Sequence, residues 1–126
     1  MTQTVELTSA NFSDVVDNND LVIIDFWAEW CGPCRGFAPV FETAAENNPD
    51  IVFAKVNTEQ AQDLAGQFAI RSIPTLMVFK EQIVVFSQAG ALPAQQFDHL
   101  IGEARKLDMD MVRAEIESKK ADEVTA

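Results

Sequence analysis

The run Leu21-Val22-Ile23-Ile24-Asp25-Phe26-Trp27 constrains this chain more than any other segment. A strand with one wet face alternates apolar and polar residues, whereas this run is apolar at every position but Asp25. Strands of that kind are covered on both faces, so the run predicts a central strand with helices packed above and below its sheet. The chain of 126 residues is long enough for one such domain. At that size roughly two-thirds of the unfolded chain's surface is buried on folding, and the core needs neither disulfides nor a metal to hold it.

The remaining sequence supplies the covering elements in order. Thr4–Leu7 reads as a short alternating strand. A helix capped by Thr8 or Ser9 follows, with Phe12, Val15 and Val16 on its apolar face and Asp17-Asn18-Asn19-Asp20 as its stop. After the central run a helix is predicted from Cys34, with Phe37, Val40, Phe41 and Ala44 at helical spacing, a kink at Pro39, and Asn47-Asn48-Pro49-Asp50 at its end. Ile51–Val56 reads as a second buried strand, and Asn57 or Thr58 caps a helix bearing Ala61, Leu64, Ala65 and Phe68. Thr75–Phe79 and Ile83–Phe86 form a hairpin across Lys80-Glu81-Gln82. Pro93 opens a further helix with Phe97, Leu100, Ile101 and Ala104 inward.

The order β-α-β-α-β-α-β-β-α is that of an α/β fold. Its βαβ units require parallel strands and its closing hairpin is antiparallel, so the central sheet is mixed, with helices on both faces. The domain is placed at residues 1–107. Residues 108–126 are an extension, partly helical because Glu115 and Lys119 stand four apart, with fraying expected over Ala121–Ala126.

The formal net charge is −11, which leaves no electrostatic footprint for nucleic acid or an anionic membrane surface. Residues 1–102 carry −9 of it, so the acidity belongs to the folded body rather than to a tail. The start Met1-Thr2-Gln3-Thr4-Val5-Glu6 has neither the basic nor the apolar region of a secretory signal, and no run is long enough to span a membrane. A cytoplasmic location is expected.

The only cysteines are Cys31 and Cys34, in Trp30-Cys31-Gly32-Pro33-Cys34. Two thiols do not make a disulfide framework. A zinc site needs four ligands, and the single histidine, His99, lies far off in the sequence, so metal binding would require two protomers each lending a pair. No metal and no cofactor are expected in the chain. The redox reading has a direct physical basis. The pair follows a buried strand and opens a helix, where unpaired N–H groups and the helix dipole stabilise a thiolate at Cys31. Cys34, one turn on and more buried, is near enough to attack a mixed disulfide formed at Cys31.

Asp25-Phe26-Trp27-Ala28-Glu29-Trp30-Cys31-Gly32-Pro33-Cys34 resembles the active-site segment of the thioredoxin family nearly letter for letter. Arg71-Ser72-Ile73-Pro74-Thr75 resembles that family's second motif, and looser matches at Pro39, Lys55 and Gly90-Ala91-Leu92 extend the likeness to about Lys106. The pentad around the cysteines is specific, since sister families change its two central residues. The resemblance implies a thioredoxin fold and a dithiol–disulfide oxidoreductase that reduces disulfides of client proteins. It implies a catalytic set of Cys31 as attacking thiolate, Cys34 as resolving thiol, Asp25 as buried acid and Lys55 as its charge partner. It further implies a cis bond before Pro74, and a flat docking surface of Trp30, Gly32, Pro33, Ile73, Pro74 and Gly90. Trp27 is assigned instead to packing beneath the site.

The implied partners are disulfide-bearing client proteins and a thioredoxin reductase that uses NADPH and a flavin; a monomer is expected, with no nucleic acid and no membrane. Position alone also allows Asp25 at a strand edge facing water and Lys55 as a surface lysine laid along the body. An oxidising or isomerising role competes within the class, and a redox-active holdase or assembly subunit competes from outside it. One departure concerns the hairpin: Glu81-Gln82 stands where the family commonly has Asn-Gly, and neither residue adopts positive φ readily, so a different turn is expected.

Overall fold

The computed structural model describes residues 3–125. Five strands form one sheet: β1 (Thr4–Glu6), β2 (Leu21–Trp27), β3 (Val52–Asn57), β4 (Thr75–Lys80) and β5 (Ile83–Ala89), in the order β1-β3-β2-β4-β5. β3 runs parallel to both β1 and β2, whereas β4 runs antiparallel to β2 and to β5. The sheet is mixed, and β2 is its central strand.

Helices cover both faces. On one face α2 (Gly32–Asn47) and α4 (Ala94–Lys106) set Phe37, Phe41, Phe97 and Ile101 against Ile23, Phe53, Leu76 and Val78. On the other, α1 (Phe12–Asp17) and α3 (Gln62–Gln67) bring Val16 and Leu64 against Val22, Ile24, Phe26, Val56 and Met77. Odd positions of β2 therefore face α2 and α4, and even positions face α1 and α3, as the two-residue period of a strand dictates. Aromatic rings occupy both layers. Phe37 meets Phe97 edge-on at 5.3 Å between centroids, and Phe12, Phe68 and Phe79 contact one another at 5.4 to 5.9 Å. Contacts of this kind add about 0.5–1.5 kcal/mol each beyond area burial.

Several boundaries differ from the expected ones, each for a local reason. α1 begins at Phe12, after Asn11, because Thr8 and Ser9 belong to a preceding turn in which the Thr8 Oγ1 accepts from the Ala10 N–H at 3.2 Å. Asn57 likewise closes a turn: its Oδ1 accepts from the N–H groups of Glu59 and Gln60, and α3 starts only after Ala61. α2 starts at Gly32, two residues early, and continues through Pro39 as one helix. The chain ends in α5 (Met109–Thr125), whose first turn is held by the Asp108 carboxylate accepting from the Asp110 and Met111 N–H groups. The fraying expected towards the end includes Ala126, which lies outside the described residues.

Two features at the β4–β5 turn were not foreseen. Lys80, expected in the loop, ends β4 and is only 7% exposed. Its Nζ donates to the carbonyls of Ala104, Arg105 and Leu107 at 2.8, 3.0 and 3.0 Å. Three ammonium donors thus meet three acceptors at the negative end of the α4 dipole, which is how a charge tolerates burial there. The second feature corrects the expected hairpin. Glu81 and Gln82 do adopt positive φ, at 50° and 67°, giving the two-residue turn whose twist suits a hairpin. Contacts from outside the hairpin hold them there: the Glu81 N–H donates to the Asp20 carbonyl at 2.8 Å, and the Glu81 carboxylate pairs with Arg113 of α5. Replacing Gln82 with glycine is expected to raise stability by about 0.5–1 kcal/mol, because glycine adopts this conformation without a Cβ penalty. Chemical denaturation of Gln82→Gly against the parent checks this, and an unchanged or lowered midpoint contradicts it.

Candidate active site

The fold carries the chain from the end of β2 through Ala28, Glu29 and Trp30 directly into the N-terminus of α2. Cys31 is the N-cap residue of that helix, with extended backbone dihedrals. Its Sγ accepts from the Cys34 N–H at 3.2 Å, taking the place of the hydroxyl or carboxylate oxygen usual at a helix cap. Pro33 suits the first turn because its missing N–H is not needed there. Cys31 and Cys34 are joined as a disulfide, with their Cα atoms 5.2 Å apart. Both are buried, at 4% and 2% exposure, so the pair presents very little surface to solvent.

The loop before β4 closes over this sulfur. The Ile73–Pro74 bond is cis, and the Ile73 carbonyl oxygen lies 3.8 Å from Cys31 Sγ. Gly90, at φ 105°, donates its N–H to the Pro74 carbonyl at 2.8 Å and ties the end of β5 to this loop. Gly32, Pro33 and Gly90 are exposed, Ile73 is half-buried, and Pro74 lies buried beneath. Among the described residues no group accepts from the Ile73 N–H. Trp30 is 67% exposed, and its indole N–H donates to Glu59 Oε1 at 2.6 Å. Glu59 has no marker in the sequence. It reaches Trp30 only because β3 pairs with β2 in parallel and so ends at the same rim of the sheet.

Asp25 is fully buried, and among the described residues neither carboxylate oxygen has a hydrogen-bond partner. As an odd position of β2 it lies on the face covered by α2, the helix that holds the cysteines. Burial pushes its pKa up to about 7, against a smaller downward pull from Lys55. Lys55 stands opposite Asp25 in the β2–β3 register, yet its Nζ lies over the Trp27 ring, 4.7 Å from the centroid. The lysine acts on Asp25 through space rather than by direct bonding, and Trp27 is a half-buried platform for the lysine rather than simple core. Arg35 is exposed, with its guanidinium donating to the Glu29 carbonyl at 2.7 Å.

A groove of about 700 Å³ between β5 and α4 is lined by Phe86, Leu92, His99 and Leu100 among others and by none of the expected site residues. A disulfide held at a helix N-terminus, with a titratable carboxyl in the sheet below, is equipped for exchange with a second disulfide or dithiol. No helix among the described residues is long and apolar enough to cross a membrane.

Comparison with known proteins agrees with this geometry. Residues 3–103 match the sequence model of the thioredoxin family. A relative from Streptomyces coelicolor is 58% identical over 121 residues, covering 96% of this chain and 90% of its own. That match leaves out at most five residues of the chain, so it takes in most of 108–126. The thioredoxin of Haemophilus influenzae is 41% identical over 105 residues, covering 82% of this chain and 98% of its own. Among solved structures, Plasmodium falciparum thioredoxin superposes with a TM-score of 0.74 at 34% identity, over 79% of this chain and 98% of that one.

The Asp25 shift is also a statement about stability. Its folded pKa of about 7 lies above the ordinary 3.8. Below the ordinary value both states are protonated and ionisation of the residue costs nothing. Between the two values the unfolded state gives up its proton and the folded state keeps it, so stability falls as pH rises, and the cost levels off above about 7 at about 4 kcal/mol. Asp25→Asn is therefore expected to raise the thermal midpoint markedly at pH 8, with the gain shrinking towards pH 4. A pH-independent difference, or a loss of stability at pH 8, contradicts it.

Proposed function

The chain belongs to the thioredoxin family and is a thiol–disulfide oxidoreductase; on that footing we propose which residues perform the exchange, in what order, and with which partners. The observation that carries the reading is the Cys31 sulfur, capping α2 and bonded to Cys34. In the reduced protein the same N–H group and helix dipole favour a thiolate at Cys31. This thiolate attacks one sulfur of a client disulfide, breaking that bond and releasing one client thiolate. Cys34 then gives its proton towards Asp25 through water and attacks the Cys31 sulfur. The second client sulfur leaves, and the disulfide seen here is the product. Two electrons pass from the protein to the client, whose thiolates take up protons, and a reductase returns two electrons from NADPH through a flavin.

Asp25 suits the proton role because a carboxyl with a pKa near 7 both gives and takes a proton at neutral pH. Lys55 lowers that value, and so tunes it. The client docks as an extended segment on Trp30, Gly32, Pro33 and Gly90, with its backbone bonded to the free Ile73 N–H as in strand addition. The buried Pro74 contributes by shaping the loop rather than by contact. The Trp30–Glu59 bond fixes the aromatic edge of this surface. We assign the catalytic unit to residues 1–107, the extension to 108–126, the working state to a monomer and the location to the cytoplasm. Disulfides are scarce and reduction prevails in that compartment.

Insulin reduction with dithiothreitol tests the order of events. Cys34→Ser is expected to lower turnover at least about a hundredfold while trapping clients as mixed disulfides through Cys31, and Cys31→Ser to lose both. Absence of turnover in the parent protein, with clients still kept from aggregating, would replace the reductase by a holdase.

Charge near the site bears on partner choice. Arg35 and Arg71 are exposed cations on an otherwise acidic body, beside the two redox motifs. Arg35→Glu is expected to slow reduction by an acidic reductase or client severalfold at low salt and much less at high salt. A decrease that does not depend on ionic strength contradicts steering.

A further inference from the structure

The two edges of the sheet are protected very differently. β1 is three residues long and carries Glu6, which makes it a poor template for another strand. β5 is seven residues long and begins Ile83-Val84-Val85-Phe86, a β-branched and aromatic run with no charge and no proline. Its outer side pairs with no strand among the described residues, and Val84 is 43% exposed. A bare edge of this composition invites pairing with a second copy of itself.

α5 lies along this part of the edge. Val112 and Ile116, one turn apart and both half-buried, share a shallow cleft with Ile83, Val84 and Val85. Met109 is buried at the start of the helix, Arg113 pairs with Glu81 in the hairpin turn, and Lys80 holds the Leu107 carbonyl from which the helix departs. α5 also carries charge beside these contacts, with Glu115 and Lys119 3.7 Å apart at the cleft. The redox site uses none of these residues, and the Streptomyces relative shares most of the segment.

We propose that α5 is a guard for the β5 edge, laid across Ile83–Val85 to keep a second copy of this chain from pairing there about a two-fold axis. The helix supplies what the edge sequence lacks, charge and a covered flank, and the Lys80 and Arg113 contacts keep it in place. The guarded surface is isologous, so one released helix on each of two chains completes the interface.

The test uses the full-length chain with Val112→Asp and Ile116→Asp together, which removes the apolar contacts of α5 and leaves β5 untouched. Amide exchange across residues 109–121 is expected to become fast. Sedimentation velocity from micromolar to millimolar concentration should show the parent as one chain and the variant passing to two. Insulin reduction at low concentration should stay within about twofold of the parent, since the site is remote from the change. Adding Val84→Lys, a charge on the edge itself, is expected to restore the single chain. The proposal is overturned if the variant stays monomeric with α5 released, if it associates despite Val84→Lys, or if α5 keeps its protection.

Discussion

Burial of β2 on both faces is the constraint from which the rest of the molecule follows. A strand in that position must be flanked by other strands and roofed by helices, which fixes the layers. Its end is also the natural place to start the helix that returns over the sheet. The redox pair sits at that junction, where α2 begins and its unpaired N–H groups are concentrated. The same double burial makes Asp25 costly: two carboxylate oxygens without partners are kept inside at about 4 kcal/mol near neutral pH. A carboxyl that expensive is not there for packing, since an apolar residue would serve the core better, and the proposed proton role gives it a use.

The site owes little to side-chain complexity. A sulfur occupies the position of a helix cap, a backbone carbonyl stands 3.8 Å from it, and a glycine N–H ties the neighbouring loop in place. On the proposed docking mode, such a site can receive many different extended segments because backbone groups do the receiving. At the rim, Trp30 is held by Glu59, and Arg35 and Arg71 stand exposed on an acidic body.

At the far end of β4, different requirements operate. Lys80 is buried because three carbonyls at the end of α4 await a donor, and the strained turn beside it is held by Asp20 and by α5. Strand edge, turn, helix end and extension form one assembly. Its contacts join residues far apart in the chain, 32 positions between Glu81 and Arg113 and 61 between Asp20 and Glu81.

What the sequence determined by itself was local in origin. The double-sided run of β2, the helix periods around Phe37 and Phe97, and the hairpin all follow from spacing and burial. The adjacency of Cys31 and Cys34 to a strand end and a helix start follows as well. Thr8 and Asn57 have the sequence signature of helix caps yet close turns, because a side chain that can cap a helix can equally close the turn before one. Tertiary structure alone decided the rest. That Glu59 holds Trp30, that Lys55 rests on Trp27 instead of bonding Asp25, and that Lys80 goes inside all depend on strand register and helix docking. Glu81 and Gln82 accept positive φ because contacts from Asp20 and Arg113 outweigh their own preference. Local propensity cannot anticipate partners brought from another element, and these positions are where such partners decide the outcome.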